Sequence, residues 1–187
     1  YNTHLDKITA ASNVKYIIVA DNPGKNEQLI KNQCYLIGQS GTLTRNFFKK
    51  NSLVSDFENE VIILNKTPVH TAKTLYLKKL KKKFPDFIKE SQKYMASLIL
   101  ELHQLFGCQL WIIGYSELKP KGIFNEFRNE IKIKYTDLEL KDRIYLYRHF
   151  SMNSFTTDLK KRSVPHVSLE ENLKTIGTDY RMKYLEF

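Results

Sequence analysis

Lys15 to Ala20 reads KYIIVA, and the next four residues, Asp21 to Gly24, read DNPG. A short β-branched and apolar run without a polar face is the pattern of a strand covered on both sides, and a turn-forming tetrapeptide ends it. Three further runs repeat the type: Val61 to Leu64 (VIIL), Leu110 to Ile113 (LWII) and Ile144 to Tyr147 (IYLY). Each gives way to polar or turn residues. Between them lie helical patterns: Thr42 to Lys50, Asp86 to Phe106 with apolar Ile88, Tyr94, Met95, Leu98, Leu102 and Leu105, and Ile123 to Ile133. Ser168 with Glu171 makes a capping box for a last helix through about Tyr184, despite Gly177 inside it. Strand-helix alternation implies parallel pairing through right-handed crossovers. The expected fold is α/β, a three-layer α/β/α sandwich with a central, mainly parallel four-stranded sheet, in one domain over residues 1–187.

Composition narrows the partners. At 187 residues and 42% hydrophobic content the chain can bury a substantial core. No apolar run approaches the roughly 18 residues that a membrane span requires, and the N-terminus lacks a basic-then-apolar signal pattern. Cys34 and Cys108 are too few for a disulfide framework and lack metal-ligand spacing. A monomer in a reducing, cytoplasmic compartment is expected, with no membrane, cofactor or metal. The net charge of +10 suits a polyanion, whose condensed counterions are released by Lys and Arg contacts. Lys78 to Lys83 (KKLKKK) is the one dense charge block; as a solvated face or as a track for a DNA backbone, it bears on salt dependence rather than on chemistry.

In parallel α/β folds, sites form beyond the carboxyl ends of the strands. The residues there are Asp21 and Asn22, Asn65, Gly114 and Tyr115, and His149. A carboxylate, two amides and an imidazole therefore converge on one sheet edge. No Ser-His-Asp or metal-ligand cluster offers a competing chemistry.

Three segments at that edge carry a resemblance. ADNPGKNE (Ala20 to Glu27) followed by YLIGQSG (Tyr35 to Gly41), then ILNKTP (Ile63 to Pro68), then RHFSMNS (Arg148 to Ser154) resemble, in the same order, three motifs of the uracil-DNA glycosylase superfamily. These are its Pro-containing turn with a Gly-rich stretch, its strand-ending Asn and its H-P-S motif. The resemblance covers roughly residues 14–160. Ala20 stands where the family has Gly and Phe150 where it has Pro, and two cysteines exclude a four-cysteine iron-sulfur cluster.

The resemblance implies a DNA base-excision repair glycosylase that everts uracil or a related damaged base and hydrolyses its N-glycosidic bond. Asn22, or Asp21 in its place, would orient the water; Asn22 is the position that aligns. His149 would donate to the departing base at O2. Asn65 would read the base edge, because an amide pairs one donor and one acceptor with O4 and N3–H of uracil, a pattern that cytosine reverses. Tyr35, or Leu36 as the stricter match, would stack on the base. Gly38, Ser40, Gly41, Arg148 and Ser151 would contact DNA, with Met152 or Phe155 as an apolar wedge in the duplex. The departures at Ala20 and Phe150 support an alternative, a weak or inactive DNA- or nucleotide-binding member of the same fold. A third reading is a phosphate-binding enzyme acting on small nucleotides through the Gly-rich turn.

Read individually, these residues also have structural explanations. D-N-P-G is a common turn, Asn at a strand end often bonds local backbone, and a lone His is often satisfied in a core. Gly38 and Gly41 serve equally as a tight turn into the next helix.

Overall fold

In the computed structural model, which describes residues 2–27 and 29–187, four parallel strands form the central layer: β1 (Tyr16–Ala20), β2 (Val61–Asn65), β3 (Gln109–Ile113) and β4 (Ile144–Tyr147). They lie in the order β2-β1-β3-β4. Each matches one of the apolar runs to within a residue or two. All are buried along their length apart from the partly covered Gln109, so the sequence shows continuous apolar blocks rather than alternation.

Eight α-helices are present among the described residues. They are α1 (Gln39–Lys50), α2 (Phe57–Glu60), α3 (Thr74–Lys83), α4 (Pro85–Phe106), α5 (Asn125–Lys134), α6 (Leu138–Asp142), α7 (Ser154–Arg162) and α8 (Leu169–Tyr184). Alternate strand side chains point to opposite faces, and each face meets its own helical layer. Ile17, Ile62, Leu110 and Ile144 pack with Leu77 of α3, Ile99 of α4 and Phe127 of α5. Ile18, Ile63, Trp111 and Tyr145 pack with Phe48 of α1, Phe155 of α7 and Ile176 of α8. This is the expected three-layer α/β/α sandwich. The capping box at Ser168 and Glu171 opens α8 as the sequence indicates, and both halves of the reciprocal bond are present. No helix of the described residues is long and apolar enough to cross a membrane.

The buried stripe of α4 differs from the expected one. Tyr94 and Leu105 are exposed, whereas Gln92 and His103 are fully buried. Both polar groups are satisfied across the layer: the Gln92 amide donates to Ile123 O at 3.0 Å and accepts from Phe127 N–H at 3.0 Å. His103 Nε2 lies 2.9 Å from Cys108 O and Nδ1 lies 3.1 Å from the Tyr135 hydroxyl. The carbonyl can only accept, so Nε2 carries the proton and Nδ1 accepts from tyrosine.

Burial, aided by the nearby Arg143, pulls His103 from its ordinary 6.5 down to about 4. Below pH 6.5 the unfolded chain binds a proton that the folded chain refuses, so stability falls with pH. About 3 kcal/mol is expected to be lost by the time pH has dropped to about 4. Urea denaturation between pH 7 and 4 measures this, and His103→Gln should flatten the slope.

Candidate functional site

The strand order sets the position of the site. From β1 the chain crosses to β2 on one side, whereas β3 is followed by β4 on the other, so the connections diverge between the carboxyl ends of β1 and β3. A cavity of about 700 Å³ opens there, and Asp21, Asn65, Gly114, Tyr115 and His149 from all four strand ends line it. Asp21 and Gly114 are in close apposition. Gly114 has φ +81°, and a Cβ on it would sit 2.7 Å from Asp21 Oδ1, so only glycine fits beside the carboxylate.

Asn65 closes β2, its backbone in register with Ala20. Its side chain is 2% exposed, and its Nδ2 is buried without a hydrogen-bond partner among the described residues. Leaving such a donor unpaired costs about 1–3 kcal/mol, a cost that persists in sites whose partner is a ligand.

His149 lies just past β4. Its Nδ1 accepts the Ser151 backbone N–H at 3.1 Å and faces the hydroxyls of Ser151 at 3.0 Å and Ser40 at 3.3 Å. A backbone N–H can only donate, so the ring proton sits on Nε2, which has no partner among the described residues. Desolvation pulls the His149 pKa below the ordinary 6.5, opposed by Asp21 and reinforced by Lys66. The site thus holds a neutral imidazole with a free N–H donor. Ser151, expected against DNA, serves first to orient that ring.

The two water-orienting candidates are distinguished by their bonds. The Asn22 amide is committed at both ends: Nδ2 donates to Thr71 Oγ1 at 2.9 Å and Pro23 O at 3.2 Å, and Oδ1 accepts from Thr74 Oγ1 at 2.9 Å. It ties the β1 turn to the entry of α3. Asp21 has one oxygen held, Oδ1, by Lys66 Nζ at 2.6 Å, and its Oδ2 has no hydrogen-bond partner among the described residues. Asp21, unlike the aligned Asn22, therefore keeps an acceptor oxygen free.

Lys66 was not anticipated. It is fully buried, also donates to Ile113 O, and lies 5.2 Å from the Phe124 ring centre. Burial lowers its pKa, and Asp21 opposes the shift. A lysine after a strand reads as a surface cation, and nothing local marks it as buried.

Leu36, rather than Tyr35, lines the cavity; Tyr35 is buried in the second core. Leu36 is held at φ +54°, an unfavourable region for a side-chain-bearing residue, and its carbonyl accepts from Arg45 Nη1 at 2.8 Å. A Cβ on Gly41 would fall 1.4 Å from that carbonyl oxygen, so close packing here requires glycine. Gly38 caps α1, whose first turn has no acidic residue. Ser40 in that turn lines the cavity, and the N–H groups of residues 39–41 have no acceptor among the described residues.

The wedge candidates separate as well. Phe155 stacks on Phe150 at 4.1 Å, and both rings are buried in the core. Met152 is 87% exposed at the cavity rim, in the left-handed region together with Asn153. Arg148 lines the cavity too and pairs with Asp158 at 3.4 Å. The lysine block forms α3, a helix absent from the expected set because only Leu77 on it is buried. Thr74 at its first turn lines the cavity, so the basic helix starts at the site.

Among the described residues no group of three or more His, Cys, Asp or Glu side chains is placed to hold a metal ion. Comparisons of the chain with protein-family models, with curated proteins and with solved structures returned no match.

Proposed function

We propose that this protein is a monofunctional DNA glycosylase of base-excision repair, one that everts uracil or a related damaged base and hydrolyses its N-glycosidic bond. The observation that carries the reading is the pairing, in one cavity, of a buried and unpartnered Asn65 amide with a neutral His149 whose N–H is free. An everted ring would satisfy both. The order of the three sequence motifs and the net charge of +10 support the same reading.

In the proposed reaction the C1′–N bond breaks and its electron pair leaves with the base. His149 Nε2–H donates to the base oxygen on which the charge accumulates, and the Asp21 carboxylate faces the positive charge developing on the sugar. A water hydrogen-bonded to Asp21 Oδ2 adds to C1′, and its proton passes through that carboxylate to solvent. Exposed Met152 would fill the gap in the stack, while the amides that open α1 and the lysines of α3 would hold the phosphates.

The test is incubation with single- and double-stranded oligonucleotides carrying one deoxyuridine, followed by alkali. Cleavage at the deoxyuridine is the expected result, and binding without an abasic product would overturn the reading. Neutral His149 is the working form and its pKa is depressed, so excision should hold its rate as pH falls through 6.5 and decline only below it. A decline centred above pH 6.5 would contradict the lowered pKa of His149.

A further inference from the structure

The cavity extends beyond what one everted ring needs. At about 700 Å³ it lies within the range of roughly 300–1,000 Å³ for whole ligand sites, and part of its wall takes no part in the proposed reaction. That part comes from the end of β3 and the last turns of α8. Tyr115 packs against Tyr180 with ring centres 4.4 Å apart and against Tyr184 at 4.5 Å. Tyr180, Lys183 and Tyr184 share a helix face by their spacing of three and four. The Tyr180 hydroxyl donates to the Asp158 carboxylate, at 2.9 Å to its nearer oxygen, which fixes the ring.

Around these rings stand three cations. Lys119 and Lys183 are exposed, line the cavity and form no ion pair with a carboxylate among the described residues. Arg148 is half exposed beside them. Aromatic faces edged by cations, two of them here without a carboxylate partner among the described residues, are the chemistry of single-stranded nucleic acid binding: the rings stack on an unpaired base and the cations meet its phosphate. A duplex offers phosphates here but keeps its bases paired and stacked away from the tyrosines.

We infer that this wall is a second subsite, which takes the nucleotide next to the everted one on a single DNA strand. Its phosphate sits among Lys119, Lys183 and Arg148, and its base lies against Tyr184, since the Tyr180 ring is already packed against Tyr115 and covered by the Arg162 guanidinium at 4.6 Å. The inference rests on the glycosylase reading for the neighbouring everted base, but its readout is binding rather than excision.

The experiment is fluorescence anisotropy with a short fluorescein-labelled oligothymidylate carrying one central deoxyuridine, alone and annealed to its complement. The Lys119→Ala/Lys183→Ala variant changes exposed residues and keeps the fold. It should weaken single-strand binding and reduce the slope of log affinity against log salt by about one to two. Tyr184→Ala should weaken single-strand binding about 5- to 150-fold, the range for losing one stacked base, and Tyr184→Phe should restore it. Duplex binding should change much less. Equal losses on single strand and duplex, or no loss on the single strand, would overturn the subsite, as would competition by free thymidine monophosphate at the oligonucleotide's own concentration. If no abasic product forms while the single-strand loss persists, the glycosylase reading fails and the subsite stands.

Discussion

Asn65→Ala should lower uracil excision by about 10²- to 10³-fold, the usual cost of removing one preorganised donor from a buried site. It should do so without unfolding the protein. The wild-type amide lies at 2% exposure with Nδ2 unpartnered, so the folded state bears an unmet desolvation cost that alanine removes. A melting temperature equal to or above wild type, together with lost excision, is the signature of a group retained for its ligand rather than for the fold. A purely structural Asn65 gives the opposite pattern, lower stability with activity scaled only by the folded fraction. Single-turnover kinetics on a deoxyuridine oligonucleotide beside thermal denaturation separates the two. The same variant should also lose discrimination between uracil and cytosine, because the unpaired amide is what penalises the reversed pattern.

The strands and the positions past their ends were legible because burial on both faces leaves an unbroken apolar signature, and the chain then has to turn. Asn65, His149 and Asp21 followed from that alone. Side-chain pairing across the sheet was not legible. Asn22 and Asp21 are adjacent and equally polar, and their roles separate only through Thr71, Thr74 and Lys66, the last of these 45 residues away along the chain. The helical periodicity misled where polar residues were buried with partners: Gln92 and His103 occupy the α4 interface that Tyr94 and Leu105 were expected to fill. The α3 helix escaped notice because five lysines leave too thin an apolar stripe to register. Tyr115, Tyr180 and Tyr184 come together from two elements that are far apart in sequence, and no local pattern announces such a cluster.

Asp21→Ala is expected to cost about 3 kcal/mol of stability or more, because it leaves a fully buried ammonium without its carboxylate. Lys66 would keep only the Ile113 carbonyl and the face of Phe124, while the desolvation that already lowers its pKa would act unopposed. The unfolded chain would then bind a proton that the folded chain gives up, over a wider span of pH. Stability of the variant should therefore rise as pH is raised towards the ordinary lysine value of 10.5, as lysine deprotonates in both states, and fall as pH is lowered. The double variant Asp21→Ala/Lys66→Met removes the stranded charge along with its partner and should recover most of the lost stability, since an ion pair replaced by apolar groups of similar volume is often neutral. It should not recover excision, because the carboxylate that orients water and faces the sugar's positive charge is still missing. Denaturant titrations of the two variants across pH measure the first effect, and single-turnover excision measures the second. A double variant that regains activity together with stability would assign Asp21 to the fold alone and return the water to Asn22.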